Sequence, residues 1–174
     1  MHKGLDLVLE VFSELPDYHL TICGPLDDPE EREFRQQYFH ELYELPNINS
    51  VGWVDVSGKQ FTDIASNCVA LIYPSCSEGQ AGSVITCLQA SLIPLISYES
   101  GVDVNEFGVI FKECSHFEIK DAIKCISSKQ NQELEEMSRK AFEYARSVHT
   151  KENYLNEFAN IIARIEHETM QPSS

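Results

Sequence analysis

Glu78 is the residue whose surroundings say most about chemistry. It stands in Tyr73-Pro74-Ser75-Cys76-Ser77-Glu78-Gly79-Gln80-Ala81-Gly82-Ser83, between a short apolar run, Val69-Ala70-Leu71-Ile72-Tyr73, and a segment with helical spacing. That order reads as a strand, a glycine-bearing turn and a helix start. In an open parallel sheet, ligands bind at the carboxyl ends of strands. A helix N-terminus there presents N–H groups and partial positive charge to anions. Gly79, Ala81, Gly82 and Ser83 are small enough to let backbone N–H groups come close to phosphate or sugar oxygens. Glu78 adds an acceptor for hydroxyls. A phosphate cradle beside a hydroxyl acceptor suits a sugar attached to a nucleotide diphosphate. The bland alternatives are a solvated loop carboxylate and a plain strand-to-helix turn, which also favours glycine.

Other reactive residue types are scattered. His19, His40, His116, His149 and His167 share no spacing and read as structural or surface groups. Asp103 and Glu106 beside Gly101 read as a polar turn. Trp53 follows an apolar strand and fits either a nucleobase or the core. Six cysteines, at 23, 68, 76, 87, 114 and 125, lack Cys-x-x-Cys spacing, and no Cys/His pair has zinc-finger spacing. They read as reduced thiols, mostly buried, with no metal site.

The elements that must hold the Glu78 turn alternate along the chain. Leu5, Val8, Leu9, Phe12 and Leu15 share a helical face that Pro16 ends. Residues 18–23 read as a strand closed by Gly24-Pro25. Asp27-Asp28-Pro29-Glu30-Glu31 starts a helix expected to reach Glu44, its acidic outer face solvated. A strand over 48–51, a helix over 57–67 and a strand over 69–73 lead to the turn. Val84, Ile85, Leu88 and Leu92 mark the next helix. Strands over 95–98 and 109–111 follow, the first closed by a turn at Gly101. Three further helices are marked by Ile119, Ala122, Ile123 and Ile126, by Leu134, Met137, Ala141, Phe142 and Ala145, and by Tyr154, Phe158, Ile161, Ile162 and Ile165. Alternating strands and helices predict right-handed crossovers and one mainly parallel sheet of five or six strands, with helices on both faces. The fold class is therefore α/β, Rossmann-like, in three α/β/α layers. One domain over residues 1–169 and a flexible tail over 170–174 are expected.

The net charge of −15 excludes nucleic acid as a partner, because phosphate contacts need clustered Lys or Arg. It also excludes a polybasic membrane patch within this chain. No run of about 18 apolar residues or signal peptide stands in it. Met1-His2 directly precedes a helix-like segment, so the chain reads as starting within a longer protein.

The segment Pro74-Ser75-Cys76-Ser77-Glu78-Gly79 resembles the donor-site loop of retaining glycosyltransferases with the GT-B fold, the group 1 enzymes related to glycogen synthase and bacterial mannosyltransferases. The flanks agree, in the family's order. Lys3-Gly4-Leu5-Asp6-Leu7 resembles its Lys-Gly helix start, and Leu20-Thr21-Ile22-Cys23-Gly24 its next strand. Asn47-Ile48-Asn49-Ser50-Val51-Gly52-Trp53 resembles the strand entering the nucleotide pocket. Ile93-Pro94-Leu95-Ile96 and Gly108-Val109-Ile110-Phe111 resemble its last two strands. The resemblance implies the C-terminal, nucleotide-sugar-binding half of a GT-B enzyme. It implies donor-sugar contacts at Glu78, Gly79, Gln80 and Ala81, and diphosphate contacts at Lys3, Gly82 and Ser83. It implies retaining hexosyl transfer from a nucleotide-diphosphate sugar, with no cofactor and no metal. The acceptor, a glycan or lipid, would be held by an N-terminal domain that this chain lacks, and any membrane association would come through that missing part. A cytoplasmic location follows, peripheral to the inner membrane at most.

The chain departs from the family pattern in one place. The family has a second glutamate eight residues after the first, which accepts from the ribose hydroxyls; position 86 here is threonine. Pro94 stands one residue further from Glu78 than in the family, and a one-residue insertion would put Cys87 in the glutamate's place. Thr86 and Cys87 are thus the two ribose-side positions, and neither offers a carboxylate. Two rival readings remain. One is a non-catalytic GT-B-like module for partner binding or regulation, with reduced nucleotide affinity. The other is a plain nucleotide-binding Rossmann domain, opposed by the absence of Gly-x-Gly-x-x-Gly and Walker motifs.

Overall fold

The computed structural model describes residues 3–170, with side chains through residue 166. The tail at 171–174 and the side chain of His167 lie outside the described residues. Helix α1 (Leu5–Ser13) leads to β1 (Leu20–Cys23), a 3-10 turn (Pro29–Glu31), α2 (Arg32–Gln37), α3 (Phe39–Tyr43) and β2 (Ile48–Gly52). Then come α4 (Lys59–Ala65), β3 (Ala70–Tyr73), α5 (Gly82–Gln89), β4 (Ile93–Ser97), a 3-10 turn (Tyr98–Ser100) and β5 (Val109–Phe111). Three helices close the chain: α6 (His116–Ser127), α7 (Asn131–Val148) and α8 (Lys151–Met170).

Every strand pairing is parallel. β1 pairs with β2, Leu20 opposite Ile48, with a register shift between Ile22 and Cys23. β3 pairs with β4, Tyr73 opposite Ile96, and β4 with β5, Ser97 opposite Phe111. Among the described residues no ladder joins β1 to β3, so the expected single sheet is two, of two and three strands. All five residues of β4 are buried. Alternate strand residues point to opposite faces. Ile93 and Leu95 pack with Val8, Leu9 and Phe12 of α1 and Ile119 and Ile123 of α6. Ile96 packs on the other face with Val84 and Leu88 of α5 and Ala141 and Ala145 of α7. This alternation makes three layers from one strand. Each fully buried Leu or Ile contributes about 1.5–3 kcal/mol. The first core also contains Ile22 and Ile48, so both sheets share it.

Two further expectations are corrected, the unbroken acidic helix and the burial of the cysteines. The acidic helix is broken at Tyr38, whose backbone leaves helical geometry at φ −105°, ψ 28°. Tyr38 is drawn inward: it is buried, stacks at 4.8 Å on Phe34, and donates from its phenol to Glu10 Oε1 at 2.8 Å. The apolar stripe of α8 faces outward, with Tyr154 67% and Ile162 41% exposed. Its periodicity marks the helix correctly, but the described residues put no core against it.

The cysteines are all reduced, as expected, but they are not mostly buried. Cys23, Cys76 and Cys125 are exposed and the other three half-buried. Cys23 ends a strand, Cys76 sits in the Glu78 loop, and Cys125 lies off the α6 face carrying Ala122, Ile123 and Ile126. Burial pushes the Cys87 thiol up to about 12. Burial, with Glu99 and Glu118 nearby, pushes Cys114 up to about 11. Thiol titration of denatured protein without reductant should therefore count six. In the native protein Cys76 and Cys125, which are exposed, should react well before Cys87, whose thiol burial keeps protonated. A count of four or fewer, or fast labelling of Cys87, contradicts this arrangement.

Candidate donor-binding site

Two backbone approaches build the site. Gly4 caps α1 with φ 71°, and a Cβ there would lie 2.3 Å from the Pro74 carbonyl oxygen. Only glycine lets the chain sit so close in the left-handed region. The N-terminus of α1 thus rests directly on the turn that leaves β3, which carries Lys3 to the carboxyl end of the strand. From the other side comes the loop after β4. Gly101 has φ 66°, and a Cβ there would meet the Gly79 carbonyl oxygen at 2.3 Å. The Ala81 N–H donates to the Ser100 carbonyl at 2.8 Å. Ser97 Oγ donates to the Ser75 carbonyl at 2.5 Å, and both serines are fully buried. The loop 74–81 is therefore held at both ends by neighbouring backbone.

Glu78 lies where these braces converge, its side chain 14% exposed. Its Oε1 accepts from Lys3 Nζ, from the Tyr73 phenol at 2.7 Å and from Ser75 Oγ at 3.1 Å. Lys3, then Tyr73, hold the carboxyl below the usual carboxylate range. Glu78 in turn raises Lys3, against the lowering effect of desolvation. Lys3 Nζ also stands 6.0 Å from the Tyr73 ring centroid, at the outer limit of a cation–π contact. Burial, reinforced by Glu78, raises the Tyr73 phenol, while Ser83 and Lys3 pull the other way.

Helix α5 begins at Gly82 behind Ala81, with no side-chain cap on its N-terminus. Helix starts leave N–H groups without intrahelical partners. Gly79, Gln80, Gly82 and Ser83 are exposed around this end. Ala81 differs from its neighbours. Its side chain is buried and its N–H is already taken by Ser100, so it serves as a brace. Thr86 and Cys87 lie further along α5. The Thr86 hydroxyl donates back to the Gly82 carbonyl at 2.9 Å. Cys87 is half-buried, its thiol held protonated and close enough to feel Cys23 and Cys68.

The structure brings Lys3 and Glu78 together, although the sequence reading put them at opposite ends of a ligand. Trp53 is 71% exposed at the carboxyl end of β2, which removes it from the core. Asp103 and Glu106 face α7: Asp103 acts on Tyr144 and His149, and Glu106 pairs with Lys140 at 3.9 Å. His149 is half-buried against Tyr144 rather than on the surface, and burial lowers its pKa. Three contributors went unread in the sequence. Tyr73 looked like the end of an apolar strand, Ser97 like one more strand residue, and Gly101 like an ordinary turn. The only available signal was that Tyr73 ends β3 five residues before Glu78. Among the described residues no group of three or more His, Cys, Asp or Glu is placed to hold a metal. No described helix is long and apolar enough to cross a membrane.

A three-layer parallel α/β domain with a braced carboxylate loop at a strand's carboxyl end is the architecture of one Rossmann-like half of a GT-B glycosyltransferase. The model of the glycosyl transferases group 1 family matches residues 1–148, and the chain belongs to that family. No curated protein sequence matches it. Among solved structures, HepE of Anabaena with UDP and glucose superposes with a TM-score of 0.76 at 11% identity, covering 93% of this chain and 45% of that one. Sucrose-phosphate synthase of Thermosynechococcus elongatus gives 0.73 at 15% identity, covering 96% and 43%. WaaG, a glycosyltransferase involved in lipopolysaccharide biosynthesis, gives 0.65 at 16%, covering 92% and 43%. The chain thus spans less than half the length of these solved chains.

Proposed function

We propose that this chain is the donor-binding half of a retaining glycosyltransferase that moves a hexosyl group from a nucleotide-diphosphate sugar to an acceptor. The observation that supports it best is Glu78: a carboxylate fixed by three donors on one oxygen, beside an uncapped helix N-terminus. Glu78 and the exposed Gly79 and Gln80 take the sugar hydroxyls. Gly82 and Ser83 N–H groups, with Lys3, meet the diphosphate and the charge it gains on leaving. Preformed dipoles and one ammonium do this work, and the reading requires no metal or cofactor. Family membership and HepE's complex with UDP and glucose favour this ligand class. The acceptor, a glycan or lipid, is assigned to a second half, and any membrane contact to that half. The location is cytoplasmic. The domain alone binds donor weakly and does not turn over.

One observation favours a non-catalytic binding module instead. The Thr86 hydroxyl is engaged within its own helix and Cys87 is protonated, so no carboxylate stands ready for the ribose. A carboxylate accepts charge-assisted bonds from both ribose hydroxyls. Thr86→Glu or Cys87→Glu should therefore tighten nucleoside-diphosphate binding about tenfold, which is about 1.4 kcal/mol. Only one of them should do so, because adjacent helix positions point about 100° apart. Calorimetry with UDP, ADP and GDP is the test. Low-micromolar wild-type binding that neither substitution improves means that the ribose is held otherwise. No binding by any variant, even with a second half attached, favours the non-catalytic module.

A further inference from the structure

We propose that Tyr73 is a positioning residue for Glu78: its phenol holds Glu78 Oε1 in place when Lys3 leaves that carboxylate for an anionic ligand. This rests on the donor-binding reading above. Lys3 cannot serve two anions at once. Its ammonium lies on Glu78, in the loop that runs from β3 into α5. Donor binding is then an exchange, in which Lys3 moves to the phosphates and Glu78 loses its lysine partner.

What remains on Oε1 is the Tyr73 phenol at 2.7 Å and the Ser75 hydroxyl at 3.1 Å. The shorter bond comes from Tyr73. Tyr73 is the last residue of β3, locked in register opposite Ile96, and its ring packs against the core that Ile96, Val84 and Leu88 share. Two torsions place its hydroxyl, and the ladder fixes the backbone that carries it. Lys3 is the opposite case, 41% exposed on a flexible four-carbon stem. The division of labour follows from these two side chains. Lysine is the mobile partner, tyrosine the fixed one. With all three donors converging on Oε1, the carboxylate turns its other oxygen to a sugar hydroxyl. Such orientation is useful only if it survives the departure of Lys3.

Tyr73→Phe removes one oxygen and keeps the packed ring. Tyr18→Phe is the control, because the Tyr18 phenol meets only the surface Ser127 hydroxyl, at 3.0 Å. The experiment is an NMR titration of this 174-residue chain, with UDP, ADP and GDP and their glucose or mannose conjugates taken to millimolar concentration. It is accompanied by a carboxyl-carbon pH titration of Glu78 without ligand. The expected result has two parts. In Tyr73→Phe the Glu78 titration moves up toward the ordinary carboxylate value, because one of the donors that lower it is gone. The affinity gained by adding the sugar, read as the ratio of the two dissociation constants, falls about threefold to tenfold, while the bare diphosphate binds within twofold of wild type. Tyr18→Phe changes neither. An unchanged sugar increment in Tyr73→Phe overturns the positioning role whatever the titration shows, and leaves the donor reading standing. Equal loss for diphosphate and conjugate also overturns it, as a structural effect. A wild-type chain that binds none of the panel, alone and with a second half attached, overturns the donor reading and this proposal with it.

Discussion

Replacing Glu78 by Gln, in a catalytically competent protein carrying this domain, is expected to cut kcat by roughly 10²-fold or more at saturating donor. The fold should survive. Gln keeps the size of the side chain and a carbonyl oxygen that Tyr73 and Ser75 still reach, so the loop remains braced by Ser97, Ser100 and Gly101. The loss is electrostatic and directional. A neutral amide accepts more weakly from sugar hydroxyls, and it no longer pairs with Lys3. The pair itself has a defined pH window. The Glu78 carboxyl is depressed from its ordinary 4.5, so its contribution is complete above 4.5 and is lost as pH falls through the lower folded value. Lys3 is raised from its ordinary 10.5, so its contribution is complete below 10.5 and fades as pH rises through the higher folded value. Lys3 is exposed enough for salt to weaken the pair. Steady-state kinetics of the purified variant decide the assignment, with circular dichroism to check the fold. Turnover within a few-fold of wild type means that Glu78 does not touch the reacting sugar.

The second large effect belongs to Gly101→Ala. The left-handed conformation costs an L residue about 1–2 kcal/mol. Forcing a Cβ to within 2.3 Å of the Gly79 carbonyl adds overpacking of about 1–3 kcal/mol, because the obstacle is backbone and cannot swing away. The melting temperature should fall by roughly 5 °C or more. The strain acts on the donor loop itself, so ligand affinity should fall together with stability. Gly79→Ala is the control. A Cβ there meets nothing within 4 Å, and its effect should stay within about 0.5 kcal/mol. Equal stability of the two variants in thermal denaturation would show that the loop after β4 does not brace the site.

Much of this was readable from the chain because it is local. The strand, turn and helix around Glu78 occupy one continuous stretch, and the alternation of β4 residues between two cores and the period-3.6 burial in α6 follow side-chain direction alone. Gly101 was readable as a turn but not as a brace, since its contact lies 22 residues away at Gly79. Lys3 and Glu78 are 75 residues apart. Nothing in either segment states that they meet; the meeting depends on Gly4 resting on Pro74. Tyr73 was hidden for another reason. A tyrosine at the end of an apolar strand satisfies the core pattern, and its hydroxyl is invisible to periodicity. The outward stripe of α8 carries the reverse lesson. Amphipathic spacing identifies a helix and its apolar face, but not whether the described fold covers that face. Tyr38 bends a helix that propensity would continue straight: its side chain is buried and bonds Glu10, while its N–H and carbonyl keep their partners Phe34 and Leu42.

The division of the sheet has a colloidal consequence. Among the described residues β1 and β3 each pair on one side only, so each has an edge of main-chain donors and acceptors outside any ladder. Their sequences, Leu-Thr-Ile-Cys and Ala-Leu-Ile-Tyr, contain no lysine, proline or carboxylate to discourage that approach. Proteins normally guard such rims with charge, bulges or a covering element. Here the protection comes from elsewhere: each strand is only four residues long, and the molecule as a whole carries a net charge of −15. Long-range repulsion of that size keeps copies apart in dilute buffer and is screened over about 10 Å at 0.1 M salt. Added salt should therefore bring copies of the domain closer together, by screening the repulsion that its net charge supplies.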